Sequence, residues 1–433
     1  MVLATSSAQE ITNERPAMPI KPRTRARSII VDSSSQRTTG GSGIMYLRAR
    51  DAQRGRAPEA RVAMKGAVVS VICVALLALS GSAPAQTDAG GKDSGPLFPV
   101  IQNGKVGYID KTGKVVIQPQ FATVENKMVF KMFAQDGGGG LIEPEFARTD
   151  RFVEGMEAVR VTEAEHPWGY IDMSGHMVIR PQFDGAHSFS DGLAVVGMGK
   201  KYGYIDKKGQ VVIEPKFDYA LGFSDGLARV TIGEKYGFID KTGSMIIKPQ
   251  FSFAVWFSEG LANVAVGGGK RGKPGTAEGR WGYIDKTGKM VLEARFALAG
   301  HFSEGLAAVL VEGSGWGFID KTGKMVVKPR FQDARWFAEG LAAVAVDGKY
   351  GFIDTTGNMV IKPQFDSAWC FSEGLAVIEI GDKWGYADKT GETVIATRYD
   401  GTESFSNGLG VIHFGHRLGY IDKTGKHVWE PQE

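Results

Sequence analysis

The sequence predicts an all-β protein built as a tandem array of small sheets, and three observations lead to this prediction. Glycine accounts for 59 of the 433 residues, about twice the usual share, as expected for many tight turns between short strands. A pentapeptide of the form aromatic-Gly-aromatic-Ile-Asp recurs along the chain, and most copies are separated by the same interval, as at Gly317, Gly351 and Gly385. A single repeated β unit accounts for all three observations.

The glycine of the pentapeptide marks nine copies of the unit. It lies at Gly107, Gly169, Gly203, Gly237, Gly282, Gly317, Gly351, Gly385 and Gly419. Two intervals are clearly longer than the others, from Gly107 to Gly169 and from Gly237 to Gly282, and correspond to insertions. A fixed period over nine copies is the sequence signature of a repeat architecture, in which each unit buries its faces against its neighbours.

One regular unit shows which strands the pattern predicts. Residues 350–354 form an aromatic-rich strand, and a tight turn at Gly357 leads to a return strand over 359–362, which ends at a proline. Residues 365–371 are predicted to be an apolar loop that crosses the core, and residues 375–380 form the third strand. Each unit is therefore predicted to be a three-stranded meander.

Whether the array is open or closed is a separate question. The array begins with the third strand of a unit, at 97–102, and ends with the second strand of a unit, at 427–430. First, second and third strands are therefore equal in number, which is compatible with a closed ring. Propellers usually have about 4–8 blades of four strands, whereas this array has nine predicted three-stranded copies. Val106 and Leu418 replace the usual aromatic residue in the end copies, as capping units would. We therefore expect an open, curved β-solenoid, with a closed β-propeller-like ring as the alternative.

The repeated residues resemble the WG-repeat family. The shared pattern is Trp-Gly-Tyr-Ile-Asp, then Thr-Gly, then Val-Ile-x-Pro-x-Phe, then Phe-Ser-Glu-Gly-Leu-Ala, and it extends over about residues 97–433. Ala294 and Thr397 depart from it by replacing the usual proline. The resemblance implies a bacterial, often exported β-repeat protein used for binding, without catalytic residues.

The N-terminal part divides into three predicted segments before the array at 97–433. Residues 64–85 have a basic start, an apolar run from Ala67 to Leu79 and a small-x-small site ending at Ala85, which predicts a cleaved signal peptide too short to span a membrane. Residues 1–63 are an upstream extension that is either disordered or precedes the true start at Met64, and 86–96 are a linker. We expect a periplasmic, cell-surface or extracellular protein.

Charge and cysteine content narrow the function classes. Residues 1–85 carry a net charge of +7, and the remaining residues carry −4, so the array has no general attraction for nucleic acid or for an anionic membrane. Cys73 and Cys370 are the two cysteines, and Cys73 lies inside the predicted signal peptide. A disulfide framework and a cysteine-ligated zinc site are thereby excluded.

No motif predicts an enzyme, a metal site or a cofactor. The sequence contains neither Gly-x-Ser-x-Gly nor His-Glu-x-x-His. The glycine-rich segment from Gly267 fits the phosphate-binding spacing only until Pro274, where Ser or Thr is required. The recurring aspartates each stand alone in a turn and are predicted to cap it rather than to bind calcium.

Candidate binding residues are sought where the repeat varies. Trp256, Trp336 and Trp369 lie between the alanine and the phenylalanine of the predicted connecting loop, outside the aromatic core position. If exposed, they are predicted to bind a protein or a carbohydrate as a strip in which Trp336 and Trp369 are neighbours; otherwise they fill gaps between units. The predicted function is an exported, non-enzymatic binding scaffold, and a glycan-binding or glycan-hydrolysing protein is the alternative. The ligand and the oligomeric state stay open.

Overall fold

A computed structural model describes residues 95–123, 152–161, 168–267, 279–415 and 417–430. All regular secondary structure in these ranges is β, with 34 strands in nine antiparallel sheets. The predicted upstream extension and signal peptide lie outside the described residues. So do residues 86–94 of the predicted linker and most of the glycine-rich segment that follows Gly267.

The sheets follow the chain in order, and each has its strands in sequence order. As described, the first two have three strands each: β1 (Phe98–Gln102), β2 (Lys105–Ile109), β3 (Val115–Ala122), and β4 (Met156–Arg160), β5 (Trp168–Asp172), β6 (Met177–Phe183). The next three have four strands each: β7 (Gly185–Ser190), β8 (Leu193–Met198), β9 (Lys201–Ile205), β10 (Val211–Phe217); β11 (Tyr219–Ser224), β12 (Leu227–Ile232), β13 (Lys235–Ile239), β14 (Met245–Phe251); and β15 (Phe253–Ser258), β16 (Leu261–Val266), β17 (Arg280–Asp285), β18 (Met290–Phe296).

The last four sheets also have four strands each. They comprise β19 (Leu298–Ala299), β20 (Leu306–Val311), β21 (Gly315–Asp320), β22 (Met325–Phe331); β23 (Asp333–Ala334), β24 (Leu341–Val346), β25 (Lys349–Asp354), β26 (Met359–Phe365); β27 (Ser367–Ser372), β28 (Leu375–Ile380), β29 (Lys383–Ala387), β30 (Thr393–Tyr399); and β31 (Gly401–Thr402), β32 (Leu409–Phe414), β33 (Arg417–Asp422), β34 (His427–Trp429).

The prediction of three strands per unit is therefore one strand short, because each full repeat has four. The segment predicted to be an apolar loop at 365–371 contains most of strand β27, which opens the eighth sheet. A bulge hides this strand from sequence reasoning: Ala368 pairs with Ile378 and Phe371 with Ala376, so two residues bulge out between the pairs. The alternation of a regular strand is broken there, and only a spacing of three between apolar residues remains.

The turn aspartates cap their hairpins as predicted. The Oδ1 atom of Asp354 accepts hydrogen bonds from the backbone N–H of Thr356 at 2.9 Å, from that of Asn358 at 2.9 Å, and from the Thr356 hydroxyl at 2.7 Å. Hydrogen bonds from the threonine hydroxyl, and then from backbone N–H groups, lower the pKa of the Asp354 carboxyl. The same arrangement lowers the pKa at Asp240, Asp285, Asp320, Asp388 and Asp422.

These turns are expected to make the fold sensitive to acid. A carboxyl group with a lowered pKa in the folded state contributes stability above its unfolded pKa, and this contribution is lost as the pH falls through the folded pKa. The Tm should therefore fall as the pH is lowered from about 5 to below about 3. Asp354→Asn should lower the Tm at neutral pH and make the acid decrease smaller. Asp347→Asn, on an exposed turn without the hydroxyl contact, is the control, and an equal effect of both variants would contradict the prediction.

The hydrophobic core lies between consecutive sheets rather than within one. For example, Leu341, Phe352 and Phe365 of the seventh sheet pack with Ala368 and Phe371 of the eighth. Nine such clusters of buried residues occur in the described part of the chain, and each draws its residues from two neighbouring sheets. Every sheet is thus covered on both faces by its neighbours.

The ninth cluster joins the two ends of the array, so the predicted open solenoid is wrong. Its members are Phe98, Val100 and Ile109 of the first sheet and Leu409, Val411 and Tyr420 of the last. The rings of Phe98 and Tyr420 are 5.6 Å apart between centroids, and the Tyr420 hydroxyl donates to the carbonyl of Pro99 at 2.7 Å. The nine sheets therefore form a closed ring, a nine-bladed β-propeller, and each sheet is one blade.

The physical reason for closure is the apolar surface at the two ends. An open array leaves one face of the first and of the last sheet uncovered, and joining them buries both. Val106 and Leu418 do not mark capping units. Val106 packs against the cluster between the first and second blades, and Leu418 packs against the cluster between the ninth and first blades. Three strands per unit would make an unusual propeller, whereas the four strands that the structure has in each full repeat form an ordinary blade.

Candidate functional site

The first strand of each four-stranded blade lies at the centre of the ring. Strand β11 contacts both β7 and β15, the first strands of its two neighbours, whereas the fourth strand forms the opposite edge of each sheet. Side-chain hydrogen bonds link these inner strands, since the Ser224 hydroxyl of β11 donates to the carbonyl of Phe257 in β15 at 2.8 Å. The inner strands therefore line the axis of the propeller.

The variable positions of the repeat fall in the bulge of this inner strand or just after it. In the fifth blade Ala254 pairs with Val264 and Phe257 with Ala262, and Val255 and Trp256 lie between these pairs outside the regular register. The repeat position of Trp256 is occupied in the third to ninth blades by Ser188, Gly222, Trp256, His301, Trp336, Cys370 and Ser404. In the sixth, seventh and ninth blades this position has no bulge and follows the short strands β19, β23 and β31. The same backbone position thus presents different side chains from blade to blade.

Two of the three predicted tryptophans lie on one partly exposed surface. Trp256 and Trp336 are both partly exposed, and the imidazole ring of His301 lies between them. The ring centroids are 5.8 Å apart for Trp256 and His301, and 5.3 Å apart for His301 and Trp336. We call these three residues the aromatic row. Sequence reasoning missed His301 because only tryptophans were considered at the variable positions.

Trp369 lies in a different environment. It occupies the first rather than the second bulge position and is only 6% exposed, in the cluster with Tyr386 and Phe405. The guanidinium group of Arg335 lies 5.4 Å from the centroid of its indole ring. Arg335 is itself 4% exposed and bonds to Asp333 Oδ2 at 2.5 Å. Trp369 is therefore part of the packing that surrounds a buried ion pair.

The aromatic row is uncharged at neutral pH. Burial lowers the pKa of the His301 imidazole to about 4, although the Glu259 carboxylate opposes this shift. The imidazole is therefore neutral, with one ring nitrogen as a donor and the other as an acceptor. Since the Arg335 side chain is turned into the core, the row presents two indoles and one neutral imidazole.

A row of acidic side chains at the turns between first and second strands joins neighbouring blades. The Glu339 carboxylate accepts a hydrogen bond from the N–H of Gly374 in the next blade at 3.1 Å, and it lies 3.2 Å from Lys389 Nζ. Glu373 repeats this arrangement with Gly408 at 3.0 Å and Lys423 at 3.1 Å. The sequence marks these residues only as parts of turns, because the glycine and lysine that they contact belong to the next blade.

Two further features do not occur in the described residues, a membrane-spanning helix and a metal site. None of the described ranges contains a helix that qualifies as a membrane span. The same part of the chain contains no group of three or more His, Cys, Asp or Glu side chains placed to hold a metal ion.

Comparisons with known proteins agree with the repeat and with the fold. The family model of the WG containing repeat matches residues 107–126, 168–202, 202–236, 236–269, 281–313, 316–350, 350–384 and 384–412. No curated protein sequence matches the chain. A eukaryotic initiation factor is similar in structure, with 11% identity, a TM-score of 0.51, and coverage of 77% of this chain and 95% of that one. At this identity the likeness supports the fold alone.

Two other solved structures show weaker likeness. The computationally designed protein Ika8 is 15% identical, with a TM-score of 0.40 and coverage of 64% of this chain and 93% of that one. BamB from Moraxella catarrhalis is 11% identical, with a TM-score of 0.38 and coverage of 63% of this chain and 93% of that one.

Proposed function

The chain belongs to the family of proteins with WG containing repeats, and from this premise we propose that it is an exported, non-enzymatic scaffold that binds a protein or carbohydrate partner. One observation carries the proposal. The packing positions are nearly constant from repeat to repeat, whereas the repeat position of Trp256 varies and bears the partly exposed Trp256, His301 and Trp336. Repeat proteins commonly combine a constant core with a binding surface of variable residues.

The absence of an enzymatic role is part of this proposal. Catalytic carboxylates need a unique environment that separates the pKa of an acid from that of a base. Here the acidic residues at the inner turns recur in almost every blade and are bound to glycine N–H groups and lysines of the next blade, as Glu339 and Glu373 are. Such residues are engaged in holding the ring together.

Export is the second part of the proposal, and it is supported by the sequence of residues 64–85. We place the protein in the periplasm, at the cell surface or outside the cell. When the full sequence is expressed in a bacterial host, the mature protein should be recovered outside the cytoplasm with Gln86 as its first residue. N-terminal sequencing that finds residues before Met64, or an uncleaved apolar segment, would contradict this.

Capture of a partner tests the binding role. The protein purified after export is immobilised and exposed to a cell-envelope extract, and the bound protein and carbohydrate are identified. The wild type should retain a partner that the double variant Trp256→Ala/Trp336→Ala releases. Val360→Ala removes a more accessible apolar side chain, 48% exposed on the outer strand β26, and serves as the control.

The outcomes separate binding at the aromatic row from other effects. Loss of the partner in the double variant, with retention in Val360→Ala and an unchanged Tm in both, supports the proposal. Equal capture by all three proteins would show that the aromatic row does not bind the partner. Conversion of a sugar or peptide substrate by the purified wild type would disprove the non-enzymatic role.

A further inference from the structure

The aromatic row is unusual within the inner ring. In the flanking blades the equivalent bulge residues are Gly222 on one side and Cys370 on the other, so small residues border the row at both ends. Neighbouring residues of the same strand are fully buried, as Ala254 and Phe257 are. The three rings are thus partly exposed side chains in three consecutive blades: Trp256 lies in β15, and His301 and Trp336 follow the short strands β19 and β23.

The spacing of the rings matches a ligand that repeats. Each blade contributes one ring from the same backbone position, so consecutive rings are related by the rotation from blade to blade. Their centroids are 5.8 and 5.3 Å apart, and their planes are tilted by 42° and 48° from one to the next. This is a curved strip and not a box of rings around one point, which recognition of a quaternary ammonium ion requires.

The charges of the row favour a neutral ligand. His301 is uncharged because burial lowers its pKa to about 4, and the nearby Arg335 guanidinium is paired with Asp333 inside the core. A polyanion therefore finds no cation in the row to bind. The neutral imidazole still offers one donor and one acceptor beside the two apolar indole faces.

The position of the row favours a slender ligand. A standard interface between globular proteins buries about 800 Å² on each partner, and it needs a broad accessible surface. The row instead lies near the axis of the ring, with Trp256 on the innermost strand β15 and with His301 and Trp336 just after the innermost strands β19 and β23. Carbonyl groups beside the row already accept side-chain hydrogen bonds, since that of Phe302 accepts from Ser258 and that of Trp336 from Cys370. The polar contacts of a ligand are therefore assigned to the imidazole of His301.

We propose that Trp256, His301 and Trp336 bind a neutral oligosaccharide, with successive pyranose rings lying along the row. A pyranose ring has C–H groups on its faces, which pack on indole, and hydroxyl groups around its rim, which bond to the imidazole. This inference rests on the proposed binding function and names the ligand class for it.

Binding of defined sugars tests the inference. The probes are neutral hexasaccharides of β-1,4-linked glucose, β-1,4-linked N-acetylglucosamine and α-1,4-linked glucose, with hexagalacturonate as the anionic comparison. Calorimetry and tryptophan fluorescence should detect binding of a neutral hexasaccharide to the purified protein and none of hexagalacturonate. Trp256→Ala, Trp336→Ala and His301→Ala should each weaken that binding by about tenfold or more. His301→Phe, which keeps a neutral ring, should weaken it less than His301→Ala does.

The controls make each result decisive. Val360→Ala should bind as the wild type does, and circular dichroism should show the same β structure in every variant. Binding of hexagalacturonate alone, no binding of any neutral hexasaccharide, or equal binding by the row variants and the wild type would overturn the inference. If a protein partner from the envelope extract is then released by the tryptophan variants, the proposed scaffold function stands and only the ligand class is wrong.

Discussion

Replacing Gly351 by alanine is expected to lower the free energy of unfolding by about 3 kcal/mol or more, at the upper end of the range for overpacking. Gly351 is the glycine of the repeated pentapeptide in the seventh blade. A Cβ atom built on it would overlap the carbonyl oxygen of Ile361 and lie 2.7 Å from the nitrogen of Pro363. Both are backbone atoms of the neighbouring strand β26, so no side-chain rotation relieves the contact.

The close approach follows from the register of the two strands. Tyr350 pairs with Phe365 and Phe352 with Ile361, so three residues of β26 face the single residue Gly351. The extra backbone of this bulge fills the space that a side chain would occupy. A Cβ atom added to the corresponding glycines, such as Gly203 and Gly317, would likewise lie 2.5 Å from a backbone carbonyl oxygen.

A matched control separates this contact from a general effect of glycine. Gly185→Ala places a Cβ in strand β7 with no atom within 4 Å, so its effect should stay within about 0.5 kcal/mol. The two variants are compared by chemical denaturation of the purified protein. A loss below about 1 kcal/mol for Gly351→Ala would show that strand β26 moves to accommodate the methyl group.

The sequence contained enough information for the repeat, the turns and the all-β class because these depend on local chemistry. Asp354 and Gly357 stand at turn positions whose hydrogen bonds and positive φ are formed within one hairpin. The inner strand was missed because its bulge removes the alternation by which a strand is recognised. Its pairing depends on the neighbouring strand, which local patterns do not show.

Closure of the ring and the composition of the candidate site depend on contacts distant in sequence. The distance between Phe98 and Tyr420 is not encoded in the period of the repeat, since a constant period is compatible with any curvature of the array. Trp336 and Trp369 are almost one period apart, yet one residue of offset places Trp369 in the core and His301 beside Trp336. The first variable position, that of Trp369, thus points into the core, whereas the second, that of Trp336, is partly exposed.

Replacing Phe98 by alanine is expected to open the ring at the contact between the first and the ninth blade. Elsewhere a phenylalanine of the inner strand packs on the aromatic ring of the preceding blade, as Phe371 does on Phe352 at 4.8 Å. The first blade has no such inner strand among the described residues, and Phe98 of β1 takes this place against Tyr420. Truncation of a buried phenylalanine costs about 3–5 kcal/mol.

Phe98→Ala should change the order of unfolding, whereas Phe371→Ala, the same substitution inside the array, should not. Because each blade contacts only its two neighbours, loss of one contact leaves the other eight in place. At Phe371 the chain itself still links the two blades, whereas the first and ninth blades are held by side-chain contacts such as those of Phe98, Val100 and Tyr420. Phe98→Ala should therefore separate these blades before the rest unfolds.

Energy transfer between fluorophores on the two end blades measures this separation. Lys111→Cys and Lys426→Cys place labels on exposed turns of the first and ninth blades, in a Cys370→Ser background that removes the native thiol of the array. In Phe98→Ala the transfer efficiency should fall at temperatures where circular dichroism still reports folded sheets. In Phe371→Ala, with a similar loss of stability, both signals should fall together. Coincident transitions in both variants would show that the closing contact is no weaker than the other eight and that the ring unfolds as one unit.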